Sequence, residues 1–196
     1  MSLRVRTTKN VRRTAALHSD TDILEYTGIM IAAGVSASYI IEMTGLSKHT
    51  VDSLIDRDRG ARTPGRRKGA LTVFQDDAKL RLYVSVFLHA YRLANQTESW
   101  SDPGAFVRAL RALDARAPGH EVEPDLLCFA LKQIEKGDFD LARCPACATH
   151  FLKIQPKVGV KRTLEGDCFV CTYRFKALGR SSSIAGKELL ALAKQG

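Results

Sequence analysis

Four cysteines near the end of the chain have the types and spacing to do chemistry. They stand as two pairs, Cys144-Pro145-Ala146-Cys147 and Cys168-Phe169-Val170-Cys171, with twenty residues between the pairs. That spacing matches a structural zinc site. Zn²⁺ takes four soft thiolates in a tetrahedron, and a tight turn brings the two thiols of one pair to the same side. Pro145 and the small Ala146 suit such a turn. Stretches 151–154, 158–160 and 171–175 read as short strands, long enough to return the second pair to the first. Segment 143–176 therefore reads as a four-cysteine zinc ribbon or a close relative. The expected cofactor is one structural Zn²⁺ on Cys144, Cys147, Cys168 and Cys171, because four thiolates leave no open position for catalysis.

Other uses of four cysteines compete with that one. Disulfides belong to oxidising compartments, whereas Met1-Ser2-Leu3-Arg4 leads into polar, basic residues with no apolar leader. Iron in a site of four thiolates, or a redox dithiol, shares the spacing. His150, three residues after Cys147, has the chemistry to replace a ligand, but with four cysteines present it reads as a surface or supporting group. Outside this segment the chain carries no GxGxxG, Walker loop, nucleophile elbow or paired-carboxylate constellation, and nothing reads as an enzyme's active site.

A second motif lies in the front half. Residues 36–55 read as helix, turn, helix. Ser36 is placed to cap the first helix, whose buried side is Ile40, Ile41 and Met43. Gly45 falls where a sharp turn needs positive φ. Leu46 plugs the angle, Ser47 caps the second helix, and Val51, Leu54 and Ile55 bury its inner face. Lys48, His49, Thr50, Ser53 and Arg57 are left pointing outward, where a helix-turn-helix meets base edges. A plain structural corner needs the same glycine and the same apolar packing.

Charge favours the DNA reading. The chain has 30 basic and 21 acidic residues, net +9. Residues 1–69 hold twelve basic and seven acidic groups, net +5. Residues 70–142 hold eight and eleven, net −3, and residues 143–196 hold ten and three, net +7. Arg4, Arg6, Lys9, Arg12 and Arg13 form a basic arm with no acid among them. Arg57, Arg59, Arg62, Arg66, Arg67 and Lys68, around the breakers Gly60, Pro64 and Gly65, form a basic linker that would neutralise phosphates without reading sequence. A solvated tether is the plain alternative.

The elements that must position these groups are helical. Thr21 or Asp20 is placed to cap a helix through Ile23, Leu24, Tyr26 and Met30 that stops at Gly34. Residues 75–94 form a long amphipathic pattern. Ser101 or Asp102 with Pro103 opens another helix, carrying Phe106, Val107, Leu110 and Leu113. A third runs from Pro124 through Leu126, Leu127, Phe129, Leu131 and Ile134 to Gly137, with Cys128 on it as a small core residue. His89 and His120 stand alone and read as structural or surface groups. Leu80, Tyr83, Phe87, Tyr91, Phe106, Leu110 and Phe129 are more apolar bulk than three helices easily hide, which predicts a partner-binding groove. The competing expectation is one core shared with the front helices. Ser181-Ser182-Ser183 reads as a hinge, followed by a short terminal helix over 185–195. The fold class is thus mainly α with a small zinc module, divided at 1–69, 70–142, 143–180 and 181–196. No apolar run reaches membrane-spanning length.

This order of parts resembles the FlhC family of bacterial transcriptional activators, the flagellar master-regulator subunits and their relatives. The likeness rests on the four cysteines just after helix 124–136, on Lys68-Gly69-Ala70-Leu71 followed by Phe74, and on Phe87-Leu88-His89-Ala90-Tyr91. The linker is more basic and the cysteine spacer longer than in that family, and Thr72 stands where it has proline, which leaves open the FlhC-like activators of mobile elements. The resemblance implies a cytoplasmic activator that binds double-stranded DNA together with an FlhD-like partner subunit and helps recruit RNA polymerase.

Three other classes fit some of the residues. An RNA-binding or ribosome-associated zinc protein would need exposed aromatics for stacking, and the ribbon offers only Phe151, Phe169, Tyr173 and Phe175, which so small a fold needs for itself. A zinc-stabilised protein-interaction module would explain the cysteines alone. A nuclease or recombinase would need an acidic metal cluster that the sequence lacks.

Overall fold

Residues 18–59, 73–74, 77–95, 99–146, 148–154 and 168 are described by a computed structural model. Among them are six helices and one two-stranded sheet, so the chain is mainly α. The arm, linker residues 60–72, stretches 158–160 and 171–175, the hinge and the terminal helix lie outside the described residues.

Helix α1, Asp20–Ala33, starts one residue earlier than the sequence suggests. Its cap is Ser19, not Thr21 or Asp20. Ser19 Oγ accepts the Asp22 N–H at 3.2 Å while Asp22 Oδ2 accepts the Ser19 N–H at 3.1 Å. This reciprocal box satisfies two backbone donors at once, which neither predicted cap does. Helix α2, Ala37–Thr44, ends at Gly45, whose φ of 72° is the left-handed turn that lets α3, Lys48–Arg59, leave at a sharp angle. Helix α1 packs on both α2 and α3, which makes a three-helix unit of the front of the chain.

The middle is built around α4, Ala78–Ala94. Asp77 caps it by accepting the Leu80 N–H, so it begins at 78 rather than 75. Its buried residues include Leu82, Val84, Ser85, Phe87, Leu88 and Tyr91, spread around more than one face. A helix apolar on several faces must be covered on several sides. Helix α5, Pro103–Arg116, covers one side and α6, Pro124–Glu135, another. Strands β1, Phe139–Arg143, and β2, His150–Ile154, form an antiparallel hairpin against a third side, with Leu141 opposite Leu152 and Arg143 opposite His150. Gly137, at φ 74°, turns the chain out of α6 into β1.

One contiguous core joins front and middle. Met30, Ile31, Ile40, Val51 and Ile55 from α1–α3 belong to it together with Leu80, Phe87, Phe106, Leu110, Leu127 and Leu131. This corrects the predicted partner groove. Leu80, Phe87, Tyr91, Phe106 and Leu110 are buried, and Tyr83 and Phe129 pack partly buried against the same core. Helices α5 and α6 and the hairpin cover α4, while α1 packs on α5 from the front, and burying each Phe or Leu side chain gains about 1.5–3 kcal/mol. Leu93, within the amphipathic stretch 75–94, is 73% exposed. Phe74, just past the linker, is fully buried, stacked on Phe129 at 5.8 Å and edge-on to Phe139 at 5.2 Å.

Two polar anchors hold the front unit on the middle. His18 Nε2 meets Asp102 Oδ1 at 3.0 Å, and the same carboxylate oxygen caps α5 by accepting the Ala105 N–H. The Tyr91 hydroxyl accepts the Asp102 N–H at 2.8 Å, and burial pushes that phenol's pKa well up, so it stays neutral in this role. On the other side the Ser36 N–H donates to Asp125 Oδ1 at 2.8 Å. Lys132 pairs with Glu42 and lies 4.8 Å from the Tyr39 ring centroid. Ser36 thus stands at the N-cap of α2 but makes no side-chain cap bond; its hydroxyl lies 3.2 Å from that of Ser38.

Candidate nucleic-acid interface and metal centre

The α2–Gly45–α3 unit has the inside and outside that the sequence implies. Val51 and Ile55 are buried, Leu54 and Leu46 pack partly buried against the core, and Ser47 Oγ caps α3 by accepting the Thr50 N–H at 3.1 Å. Lys48, His49, Ser53 and Arg57 are exposed, while Thr50 is half-buried with its hydroxyl 2.8 Å from that of Ser47. His49 Nδ1 lies 3.2 Å from Ser53 Oγ, one turn along the same outer face. Arg59 is the last residue of α3, and Arg62, Arg66, Arg67 and Lys68 lie outside the described residues.

Three aspartates on α3 temper its basic character. Asp52, Asp56 and Asp58 balance Lys48, Arg57 and Arg59 along the helix, and the first turn holds no acid. The helix dipole makes that first turn electropositive, so α3 is suited to meet anions at its start and not along its length. The α2 N-terminus is already taken by the Asp125 carboxylate.

At the other end of the chain, Cys144, Pro145 and Ala146 lie in the turn of the β1–β2 hairpin. The Cys144 N–H donates to the Thr149 carbonyl at 2.9 Å, and the Ala148 N–H donates back to the Cys144 carbonyl at 2.8 Å. Ala148 sits at φ 59°, uncommon for a residue with a side chain. That doubly closed turn holds the thiol-bearing corner in one shape. Cys144 and Cys168, one from each pair, are both 5% exposed and share a small buried cluster with Leu82 of α4 and Phe151 of β2. Two soft thiol donors gathered in an apolar pocket fit a thiolate-bound metal, which Cys147 and Cys171 would complete; these two lie outside the described residues. Among the described residues no three His, Cys, Asp or Glu side chains form a metal-binding group.

Strand β1 was missed in the sequence although its signal was present. Phe139-Asp140-Leu141-Ala142-Arg143 alternates apolar and polar residues up to Cys144. Its pleat also answers the question of His150. Phe139, Leu141, Leu152 and Ile154 face the main core, whereas Ala142 and Phe151 face the cysteine cluster. His150 shares the face of Leu152, so it is turned from that cluster. It stacks instead on His89, with ring centroids 4.6 Å apart. Neither His89 nor His120 is alone, since His120 Nε2 lies 2.8 Å from Asp114 Oδ1 and its Nδ1 accepts the Val122 N–H. Cys128 is a buried core residue, its thiol pKa pushed well up by burial.

Among the described residues no helix is long and apolar enough to cross a membrane. Set against protein-family models and against curated proteins, the sequence matches none of either.

Proposed function

We propose that this chain is a DNA-binding transcriptional activator whose C-terminal cysteines hold one structural zinc. The observation that carries the reading is the outer face of α3. Lys48, His49, Ser53 and Arg57 stand exposed on the second helix of a helix-turn-helix, whose inner face is locked into the core. In such units the early residues of the second helix enter the major groove. The near-neutral balance of α3 assigns it to discrimination. Phosphate affinity then falls to the arm and to Arg62, Arg66, Arg67 and Lys68.

In the FlhC-like reading an FlhD-like subunit completes the complex and RNA polymerase is recruited by it. The buried middle helices shift where that subunit would sit, away from an apolar groove and toward surfaces outside the shared core. Zinc would be held by Cys144, Cys147, Cys168 and Cys171 and would supply crosslinking alone. The test is selection from a random duplex library with the purified chain, alone and with an FlhD-like subunit, followed by footprinting. Recovery of a defined site whose recognition changes on substitution of His49 or Ser53 supports the reading. Binding to duplex that is indifferent to sequence, or tighter binding to single-stranded RNA, defeats it.

A further inference from the structure

At the turn end of the hairpin, His89 of α4 and His150 of β2 lie face to face, with ring planes 20° from parallel. His89 Nδ1 is buried and has no hydrogen-bond partner. The charges that act on His89 have one sign: His150 from β2, Arg116 from α5 and Arg92 from α4 itself. Arg143 of β1, directly opposite His150, adds another cation at the same end. Neutral imidazoles stack comfortably at 4.6 Å. Two imidazolium rings at that separation repel, and none of these neighbours is a carboxylate that would offset the repulsion.

We propose that the His89–His150 stack is an acid-sensitive latch that holds the turn end of the hairpin on α4 when neutral and releases it when protonated. The other end stays fixed, because Phe139, Leu141, Leu152 and Ile154 are sunk in the main core. Opening is therefore confined to the turn that carries Cys144. Burial, and then the neighbouring cations, hold His89 below the usual histidine value of 6.5. A group whose folded value is lowered contributes stability that is present above the ordinary value and is lost as pH falls through the lowered one. The latch is closed at neutral pH and opens on the acid side. This inference does not depend on DNA binding.

Hydrogen exchange on the full chain tests it. Amide protection over 148–152 is compared at about pH 7.5 and about pH 5.5, with metal content measured at both. Protection should fall on acidification, by up to about tenfold for each unit by which His89 lies below its ordinary value. His89→Phe, which keeps a ring without a charge, should flatten that dependence, and so should His150→Gln. In the unmodified chain the His89 ring should titrate below the usual value by NMR. The idea is overturned by unchanged protection, by an equal fall in both variants, by a His89 titration at or above the usual value, or by a fall that appears only when metal is lost.

Discussion

The hydroxyl of Ser85, in the middle of α4, accepts the backbone N–H of Leu152 at 2.8 Å across 67 residues of sequence. Ser85 Oγ donates in turn to the Arg81 carbonyl at 2.6 Å. A strand N–H that would be orphaned against a helix is thus satisfied, and the hairpin is fixed in height along α4. Ser85→Ala should cost about 1–3 kcal/mol, since it leaves a buried N–H without a partner. Urea unfolding of the variant measures the loss. A change below a few tenths of a kcal/mol would show that water replaces the hydroxyl.

Gly45 is where the turn between α2 and α3 takes a left-handed residue. Gly45→Ala should lower stability by about 1–2 kcal/mol. Thermal unfolding checks this. Gly28, on α1 with nothing within 4 Å of an added Cβ, is the control, and Gly28→Ala should be neutral or stabilising.

On α3, His49→Ala or Ser53→Ala should relax specificity by about 1–3 kcal/mol for each base that is no longer read. Arg66→Gln with Arg67→Gln should weaken every sequence alike and flatten the salt dependence by about one unit per charge. Binding isotherms at several salt concentrations separate the two effects. A Lys48→Ala/His49→Ala double variant that still selects the same site would place recognition elsewhere.

Cys144→Ser or Cys168→Ser should release stoichiometric zinc, measured by elemental analysis of protein purified under reducing conditions. Because Leu82 of α4 shares the cysteine cluster, the loss should also lower the melting temperature of the helical body, as metal binding and folding are linked. Zinc-free protein with all cysteines intact and unchanged stability would rule the site out.

Local signals were the legible ones. Gly45, Ser47 and the Val51–Ile55 spacing specified the turn, cap and buried face of α3 without any distant information. Pro103 and Pro124 marked the starts of α5 and α6 to the residue. Contacts made at long range could not be read. Whether Phe87 and Phe106 faced a partner or each other depends on where the chain returns, and amphipathicity says only that something covers them. The capping of α1 was readable in Ser19-Asp20-Thr21-Asp22 but lost to two nearer candidates. For the cysteines, spacing named the ligands, while the apolar wall contributed by Leu82 lies some sixty residues upstream and has no sequence signature.

The α2 N-terminus is secured by Asp125, 89 residues further along, and His18, just ahead of α1, by Asp102, 84 residues further along. During synthesis the front helices therefore emerge long before their braces exist. Long-range closure of this kind slows folding, and exposed apolar faces on a nascent chain invite association. A ribosome stalled before Pro124 would present α3 on a unit without its final support. Competence of the front of this molecule is set late, by residues that never touch its outer face.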